Sequence, residues 1–311
     1  MKISISKLIT VLFVLSYLPS HGKNFLVFGG RTGYLGQKIV QILQSMGHSA
    51  IGAQSRLENR QDLMSEIQEI KPDFIINAAG ITGKSNLDWC ETHRQETIRV
   101  NIIGTLNLID VAYMHNIHLT NISTASMYKY DDQHQMYSGN GFTEEDEPNF
   151  DKVFYSRMKI YLEKIMLEYP NVLNLRITLP VSADFHLKNF LIKITTYKKI
   201  MTVPISLTVL EDLWPIAIDM TLKERKGNYN FVNPGTVCHH EILDLYKEYI
   251  DPSFEYQTFS LPEQIKILNS GRSNCELSTK KLMQEYPSIP NIKDSLVEIF
   301  KKMKEIKDEK K

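Results

Sequence analysis

Tyr155 and Lys159 are the two residues whose types and spacing most directly suggest chemistry. They stand four positions apart in a segment, 154–167, whose apolar residues recur at helical spacing, so both project from one face of a helix. A neighbouring lysine stabilises a phenolate and lowers the pKa of the phenol toward neutrality. Such a tyrosine can protonate a ketone oxygen while a hydride reaches the carbonyl carbon.

Thr124 is the candidate for a second hydrogen bond to the ketone oxygen. It lies in the segment 121–128, which we expect to be a strand and its carboxyl-terminal edge. Open parallel sheets bind their ligands at this edge. A tyrosine and a lysine four apart also occur by chance on exposed helices, so the prediction depends on the elements that would position them.

A glycine-rich loop near the start of the chain provides that context. The apolar run Phe25 to Phe28 predicts a strand, and a helix is expected from Tyr34 to Met46. Between them, three glycines allow a tight turn and a close approach to a pyrophosphate. The predicted cofactor contacts in this loop are Gly30, Arg31, Thr32, Gly33, Tyr34 and Leu35.

The end of the second expected strand, Ala50 to Ala53, indicates the type of dinucleotide. An acidic residue about twenty positions after the glycines usually binds the ribose 2′-hydroxyl of NAD, whereas an arginine suits the 2′-phosphate of NADP. This sequence has Arg56 there, which favours NADPH and leaves NADH as the alternative. A third strand ends in Asn77, Ala78 and Ala79, whose small side chains let the backbone lie against the cofactor.

Composition limits the classes of protein to which the chain can belong. It has 311 residues, 42% of them hydrophobic, and 36 basic side chains balance 36 acidic ones. This is globular composition with no electrostatic attraction to nucleic acid. The three cysteines are too scattered for a disulfide framework, and no metal-ligand spacing is present, so we expect no metal.

Residues 1–22 resemble a signal peptide, with two lysines before an apolar run of eleven residues, Leu8 to Leu18. The run is too short for a membrane anchor, since a spanning helix needs about 20 apolar residues. The glycosylation sequon Asn121 to Ser123 lies in an expected buried strand, which no glycan could reach. We therefore expect a cytoplasmic protein, with the secretory pathway as the alternative if 1–22 is a functional signal.

Six further segments carry a resemblance to a known family. The chain resembles the extended short-chain dehydrogenases/reductases, in particular the eukaryotic 3,5-epimerase/4-reductases of nucleotide-rhamnose synthesis. It is also similar to bacterial dTDP-4-dehydrorhamnose reductases and, more distantly, to GDP-fucose synthases. The resemblance covers Lys23 to about Phe300, and its segments are 86–91, 97–101, 141–146, 154–156, 207–210 and 233–235.

The resemblance implies an α/β fold, a Rossmann-type doubly wound parallel sheet with a smaller interleaved C-terminal substrate-binding region. We expect an NADP-binding domain over 23–178 and a mainly substrate-binding region over 179–311. The implied reaction inverts a UDP- or dTDP-linked 4-keto-6-deoxy-hexose at C3 and C5 and then reduces its C4 ketone with NADPH. Tyr155 would be the general acid, Lys159 its partner and a ribose ligand, Thr124 the carbonyl-orienting hydroxyl, and Asn101 a supporting residue.

Inversion requires further proton donors and acceptors, and here the sequence departs from the family. The family uses a lysine, matched by Lys193, and a cysteine two residues after the catalytic Ser/Thr, where this chain has Ser126. A serine hydroxyl does not titrate near neutral pH, so the epimerase step is in doubt. Cys90 is the nearest other thiol in the sequence, with a small packed residue as the alternative interpretation.

The substrate is a nucleotide-sugar in this interpretation, and Arg272 and Asn189 are the expected substrate-binding residues. An arginine suits a diphosphate because it can donate two parallel hydrogen bonds. The alternatives are a reductase that needs a separate epimerase and a non-catalytic NADP-binding regulatory subunit. The sequence does not decide between UDP and dTDP, or between a monomer and a homodimer.

Overall fold

The computed structural model describes residues 22–309 except 84–86, 198, 260–262 and 264–271. The signal-like segment 1–22 therefore lies, apart from Gly22, outside the described residues. Six strands form one parallel sheet in the order β2-β1-β3-β4-β5-β7. These strands are β1 (Asn24–Phe28), β2 (Ser49–Gly52), β3 (Phe74–Asn77), β4 (His118–Thr124), β5 (Val172–Ile177) and β7 (Gly227–Asn230).

Helices connect these strands and cover both faces of the sheet, which is the doubly wound α/β arrangement expected from the sequence. The crossovers up to β5 are α1 (Tyr34–Ser45), α2 (Arg60–Ile70), α3 (Trp89–Thr92), α4 (Arg94–Ile98), a π-helical turn (Arg99–Gly104), α5 (Thr105–Met114) and α6 (Phe154–Met166). Strands β2 and β3 lie on opposite sides of β1, so the chain reverses its direction of travel there. Such a switch point opens a crevice at the carboxyl ends of β1 and β3.

The chain after β5 contributes both to this sheet and to a second layer. Besides β7, the main sheet receives α8 (Leu210–Leu222), whose apolar residues share a core with α1 and β5. The second layer contains a parallel pair, β6 (Lys199–Met201) and β8 (Gln257–Phe259). Its helices are α7 (Phe190–Thr195), α9 (His239–Tyr249) and α11 (Ile292–Asp308), which share a separate apolar core, while α10 (Lys280–Glu285) packs beside β7.

One element differs from the sequence-based expectations at its ends. The strand expected over 121–128 runs from His118 to Thr124, and the chain turns directly after it. The buried side chains of the first three residues include His118 and Thr120, which are polar and gave no strand signal. The charged C-terminal stretch continues α11 to Asp308, and Met303 anchors it in the second core.

Candidate active site

Tyr155, Lys159 and Thr124 come together at the carboxyl edge of the sheet. Thr124 is the last residue of β4, and its hydroxyl lies near the phenol of Tyr155 in the first turn of α6. The Thr124 hydroxyl oxygen also accepts the backbone N–H of Ser126 over 3.1 Å. Lys159 Nζ lies 5.9 Å from the centre of the Tyr155 ring. One hydroxyl, one phenol and one ammonium group thus share a small region of the crevice.

Burial shifts the ionisation of both α6 residues toward their neutral forms. Desolvation, and secondarily the nearby Cys90 thiol, raise the pKa of Tyr155, so the lowered pKa that was expected from the neighbouring Lys159 is wrong. The Thr124 hydroxyl opposes this shift without overcoming it. Desolvation lowers the pKa of Lys159 to about 8, and the carboxylate of Glu163 opposes that shift. Tyr155 therefore holds its proton at neutral pH, as a proton donor must.

The glycine loop between β1 and α1 has the close backbone packing that a dinucleotide site requires. A Cβ atom on Gly33 or Gly36 would lie 2.6 or 2.3 Å from the carbonyl oxygen of Gly29, so neither position accepts a side chain. Gly29 itself has φ +83°, a conformation that favours glycine. The first turn of α1 has no side-chain cap and no acidic residue, and Arg31 and Thr32 are exposed beside it. Its free N–H groups fit a pyrophosphate.

The loop after β3 is fixed by two buried asparagines. Asn77 accepts a hydrogen bond from the backbone N–H of Ala79 over 3.1 Å. Asn101, in the π-helical turn, accepts from the N–H of Ile81 and donates to its carbonyl oxygen, each over 2.8 Å. A π-helical turn inserts one residue into a helix and often serves a functional site. Here it directs Asn101 to the backbone that borders the crevice.

Side chains of both charges lie at the end of β2. Arg56 is exposed there, and Gly52 packs against the backbone of Arg31, so both arginines are near the predicted adenosine ribose position. Glu66 of α2 accepts hydrogen bonds from the backbone N–H groups of Gln54 and Ser55, over 2.6 and 2.8 Å. A carboxylate thus stands at this strand end after all, supplied by a helix instead of by the strand.

Lys193 lies within electrostatic range of Arg272. Desolvation lowers the pKa of Lys193, and the positive charge of Arg272 lowers it further. The guanidinium of Arg272 pairs with both carboxylate oxygens of Asp88, over 3.0 and 3.2 Å. This pair joins the C-terminal part of the chain to the segment just before α3. Two cations of this kind suit a diphosphate.

Three other predicted residues occupy distinct environments. Ser126 is half-buried in the turn after β4. Cys90 is completely buried in a cluster with Phe154 and Tyr155, so it packs behind the phenol. Asn189 is also completely buried; its amide donates to the carbonyl oxygens of residues 182 and 184 and accepts the N–H of Leu191. Asn189 therefore caps α7 and holds the loop that precedes it.

Sequence reasoning missed the polar cluster that stands beneath Lys159. Glu163 follows Lys159 by one helical turn and forms a buried ion pair with Arg176 of β5. Four asparagines on neighbouring strands hydrogen-bond toward this pair. The available signal was the presence of an asparagine, a residue that is rarely buried, in each of four strands.

The described part of the chain has neither a membrane-spanning helix nor a cluster of metal ligands. No helix there is long and apolar enough to cross a membrane. No group of three or more histidine, cysteine or acidic side chains in those same residues is arranged to hold a metal ion.

Comparisons with known proteins agree on one group of relatives. The model of the NAD dependent epimerase/dehydratase family matches residues 25–189. A bifunctional dTDP-4-dehydrorhamnose 3,5-epimerase/dTDP-4-dehydrorhamnose reductase of Arabidopsis thaliana is 43% identical over 275 residues, which are 88% of this chain and 91% of the plant protein.

Two further matches extend the comparison. A trifunctional UDP-glucose 4,6-dehydratase/UDP-4-keto-6-deoxy-D-glucose 3,5-epimerase/UDP-4-keto-L-rhamnose-reductase of the same plant is 44% identical over 274 residues, but the chain spans only 41% of its length. Among solved structures, the L780 UDP-rhamnose synthase of Acanthamoeba polyphaga mimivirus is 34% identical. It superposes with a TM-score of 0.85 over 90% of this chain and 99% of that one.

Proposed function

The chain belongs to the NAD dependent epimerase/dehydratase family, and we propose that it reduces the C4 ketone of a UDP- or dTDP-linked 4-keto-6-deoxy-hexose to the L-rhamnose nucleotide. The observation that carries this proposal is that Thr124 and Lys159 both lie beside the phenol of Tyr155. Relatives with 43% and 44% identity are named for this reductase activity.

Tyr155, Thr124 and Lys159 each have a separate role in the proposed reduction. Tyr155 gives its proton to the ketone oxygen as negative charge develops there, and Thr124 donates a second hydrogen bond that orients the carbonyl. Lys159 stabilises the resulting phenolate of Tyr155 by its positive charge. A bound nicotinamide cofactor supplies the hydride. A general acid of this kind typically contributes about 10²–10⁴-fold to the rate.

NADPH is the proposed cofactor. The glycine loop and the uncapped first turn of α1 suit a dinucleotide pyrophosphate. Arg56 and Arg31 supply positive charge for a 2′-phosphate, since both are exposed near the end of β2. Glu66 opposes that charge, so the preference over NADH depends on Arg56.

Epimerisation at C3 and C5 in the same pocket is a second candidate activity, favoured by Lys193. Burial and Arg272 lower its pKa, which makes the neutral amine available as a base closer to neutral pH. The opposite face of the sugar would need a second acid, and Ser126 has no group that titrates in that range. Reduction therefore has the stronger support.

The cytosol is the proposed compartment. The described part of the chain holds three free, buried cysteines. The sequon asparagine, Asn121, is 1% exposed and hydrogen-bonded across the sheet, so it could carry no glycan in this fold.

Proton NMR of product formed in heavy water tests the function. The purified protein, NADPH and UDP- or dTDP-4-keto-6-deoxyglucose are combined, first alone and then with a separate 3,5-epimerase. We expect NADPH oxidation and an L-rhamnose nucleotide once the inverted sugar is present. Deuterium at C3 and C5 without the added enzyme would assign the inversion to this chain as well. Absence of NADPH oxidation in both reactions would contradict the proposal.

A further inference from the structure

A row of four buried asparagines crosses the parallel sheet beneath the site. Asn77, Asn121, Asn174 and Asn228 occupy paired positions on β3, β4, β5 and β7, and each is at most 7% exposed. Asn77 Nδ2 donates to Asn121 Oδ1, and Asn121 Nδ2 donates to Asn174 Oδ1, each over 2.9 Å. Apolar side chains would fill these positions without any need for buried hydrogen bonds. Packing of the core alone therefore does not explain why four asparagines stand here.

The row ends on the carboxylate of Glu163 on α6. Asn174 Nδ2 donates to Glu163 Oε2 over 2.9 Å, and Asn228 Nδ2 donates to Oε1 over 3.1 Å. Arg176 donates from Nε to both oxygens at 3.2 Å and from Nη2 to Oε1 at 2.5 Å. Glu163 and Arg176 are 4% and 2% exposed. All the amides donate in the same direction, so the row delivers N–H groups to an ionised, acceptor-only carboxylate.

The other end of the row reaches the crevice. Asn77 Oδ1 accepts the N–H of Ala79, in the loop that we propose lies against the cofactor. The row therefore connects that loop to Glu163, and Glu163 shares a face of α6 with Lys159 one turn earlier and Tyr155 two turns earlier. Side-chain networks of this kind restrict the positions of every member.

Glu163 supplies negative potential to Lys159 from one turn further along α6. Burial lowers the pKa of Lys159, and Glu163 is the charged group that raises it. The remaining titratable groups around the cluster are Arg176 on β5, Tyr128 after β4, Glu144 and Asp146 before α6, and Cys90 on α3 beside Tyr155. Arg176 donates to Glu163, and its positive charge opposes the effect of Glu163 on Lys159.

We propose that Glu163, held by Arg176 and the asparagine row, is a positioning residue that keeps Lys159 protonated and fixed beside Tyr155. This inference rests on the proposed reductase function, because it gives Lys159 a charge that the reaction uses. Burial disfavours the charged form of an amine, so a buried ammonium needs a nearby negative charge to stay ionised. Glu163 supplies that charge without touching the substrate.

The test removes one charge at a time from the same buried pair, with Glu163→Gln and Arg176→Gln. The pKa of Lys159 is read by NMR of ¹³Cε-labelled lysine in the cofactor-free protein between about pH 6 and pH 10. The Lys159 signal is identified by its loss in Lys159→Met. Glu168→Gln, which removes an exposed carboxylate just beyond the same helix, is the matched control and should leave the signal unchanged.

Opposite shifts are expected from the two variants. Glu163→Gln should lower the pKa of Lys159 by about one unit, and Arg176→Gln should raise it by a smaller amount. The alkaline limb of the pH profile of kcat/KM should move in the same directions. A purely structural role of Glu163 and Arg176 would make both variants less stable without shifting the pKa of Lys159 in opposite directions. Shifts of this pKa in the same direction, or no shifts, in the folded variants would overturn the proposal.

A double variant keeps the test decisive if a single variant does not fold. Glu163→Gln/Arg176→Gln removes both members of the buried ion pair together, so neither is left without the other. Its Lys159 should titrate below wild type, though less so than in Glu163→Gln, because Glu163 is the charged group that acts on the pKa of Lys159. An unchanged Lys159 pKa in the folded double variant would overturn the proposal. The NMR reading needs neither cofactor nor substrate, so it stands even if the protein does not reduce the sugar.

Discussion

The phenol of Tyr155, in the first turn of α6, lies near the hydroxyl of Thr124, the last residue of β4. This proximity places an acid and an orienting hydroxyl where a single ketone oxygen could contact both. Because each group is carried by a regular element of the main sheet or its covering layer, the geometry does not depend on a loop.

Tyr155→Phe removes the proton donor while keeping the ring that packs against Cys90 and Phe154. We expect kcat for ketone reduction to fall by about 10²–10⁴-fold, with the Kd of NADPH changed by less than about threefold. Stopped-flow kinetics and fluorescence titration measure the two quantities. Tyr161→Phe, an exposed tyrosine on the same helix, is the control and should behave as wild type; a comparable loss there would refute the assignment.

The rate should depend on pH through Lys159. Its pKa is lowered to about 8, so the ammonium loses its proton, and the phenolate of Tyr155 its stabilising charge, as the pH rises through that value. We expect kcat/KM to be level near neutrality and to decline above about pH 8. Lys159→Arg keeps a positive charge at every accessible pH and should abolish this limb, although its absolute rate will be lower. A limb that persists in Lys159→Arg would mean that another group titrates.

Arg56→Ala tests the cofactor preference. Loss of the guanidinium should weaken NADPH binding by about tenfold or more, as expected for a charge-assisted hydrogen bond to a phosphate. NADH lacks the 2′-phosphate, so its Kd should change little, and this serves as the internal control. If the binding of NADPH and NADH were weakened equally, Arg56 would support the fold of the loop and would not bind the 2′-phosphate.

Ser126→Cys should strengthen proton exchange at C3 and C5 of the sugar. A thiol, with an ordinary pKa of about 8.5, can exchange protons where a serine hydroxyl cannot. Deuterium incorporation into the ketosugar, followed by NMR in heavy water without NADPH, should rise by about tenfold or more. Ser126→Ala is the control and should show no such gain. A variant that gains nothing would mean that position 126 does not face the sugar.

The glycine loop, the first strands of the main sheet and the Tyr155–Lys159 helix could be predicted because their signals are local. Strand β1, the loop and α1 occupy consecutive residues, and apolar periodicity alone predicts the face of α6 that meets the sheet. Glycines that would clash with the backbone if they carried a Cβ are likewise visible in one short window.

The polar pairs could not be predicted because only the tertiary fold brings them together. Asp88 and Arg272 are 184 positions apart, and the parallel register of β3, β4, β5 and β7 aligns the four asparagines. A one-residue slip in any strand would have turned its asparagine to the other face. Sequence spacing cannot report that register.

The most direct test of the central claim follows the hydride itself. The protein is given NADPH deuterated at the transferred position together with the already inverted UDP- or dTDP-4-keto-L-rhamnose, and mass spectrometry and NMR locate the label. Our account predicts one deuterium at C4 of the L-rhamnose nucleotide, formed at least about 100-fold faster than by Tyr155→Phe. Tight NADPH binding with no deuterium at C4 would contradict it and would indicate a cofactor-binding protein that does not turn over the sugar.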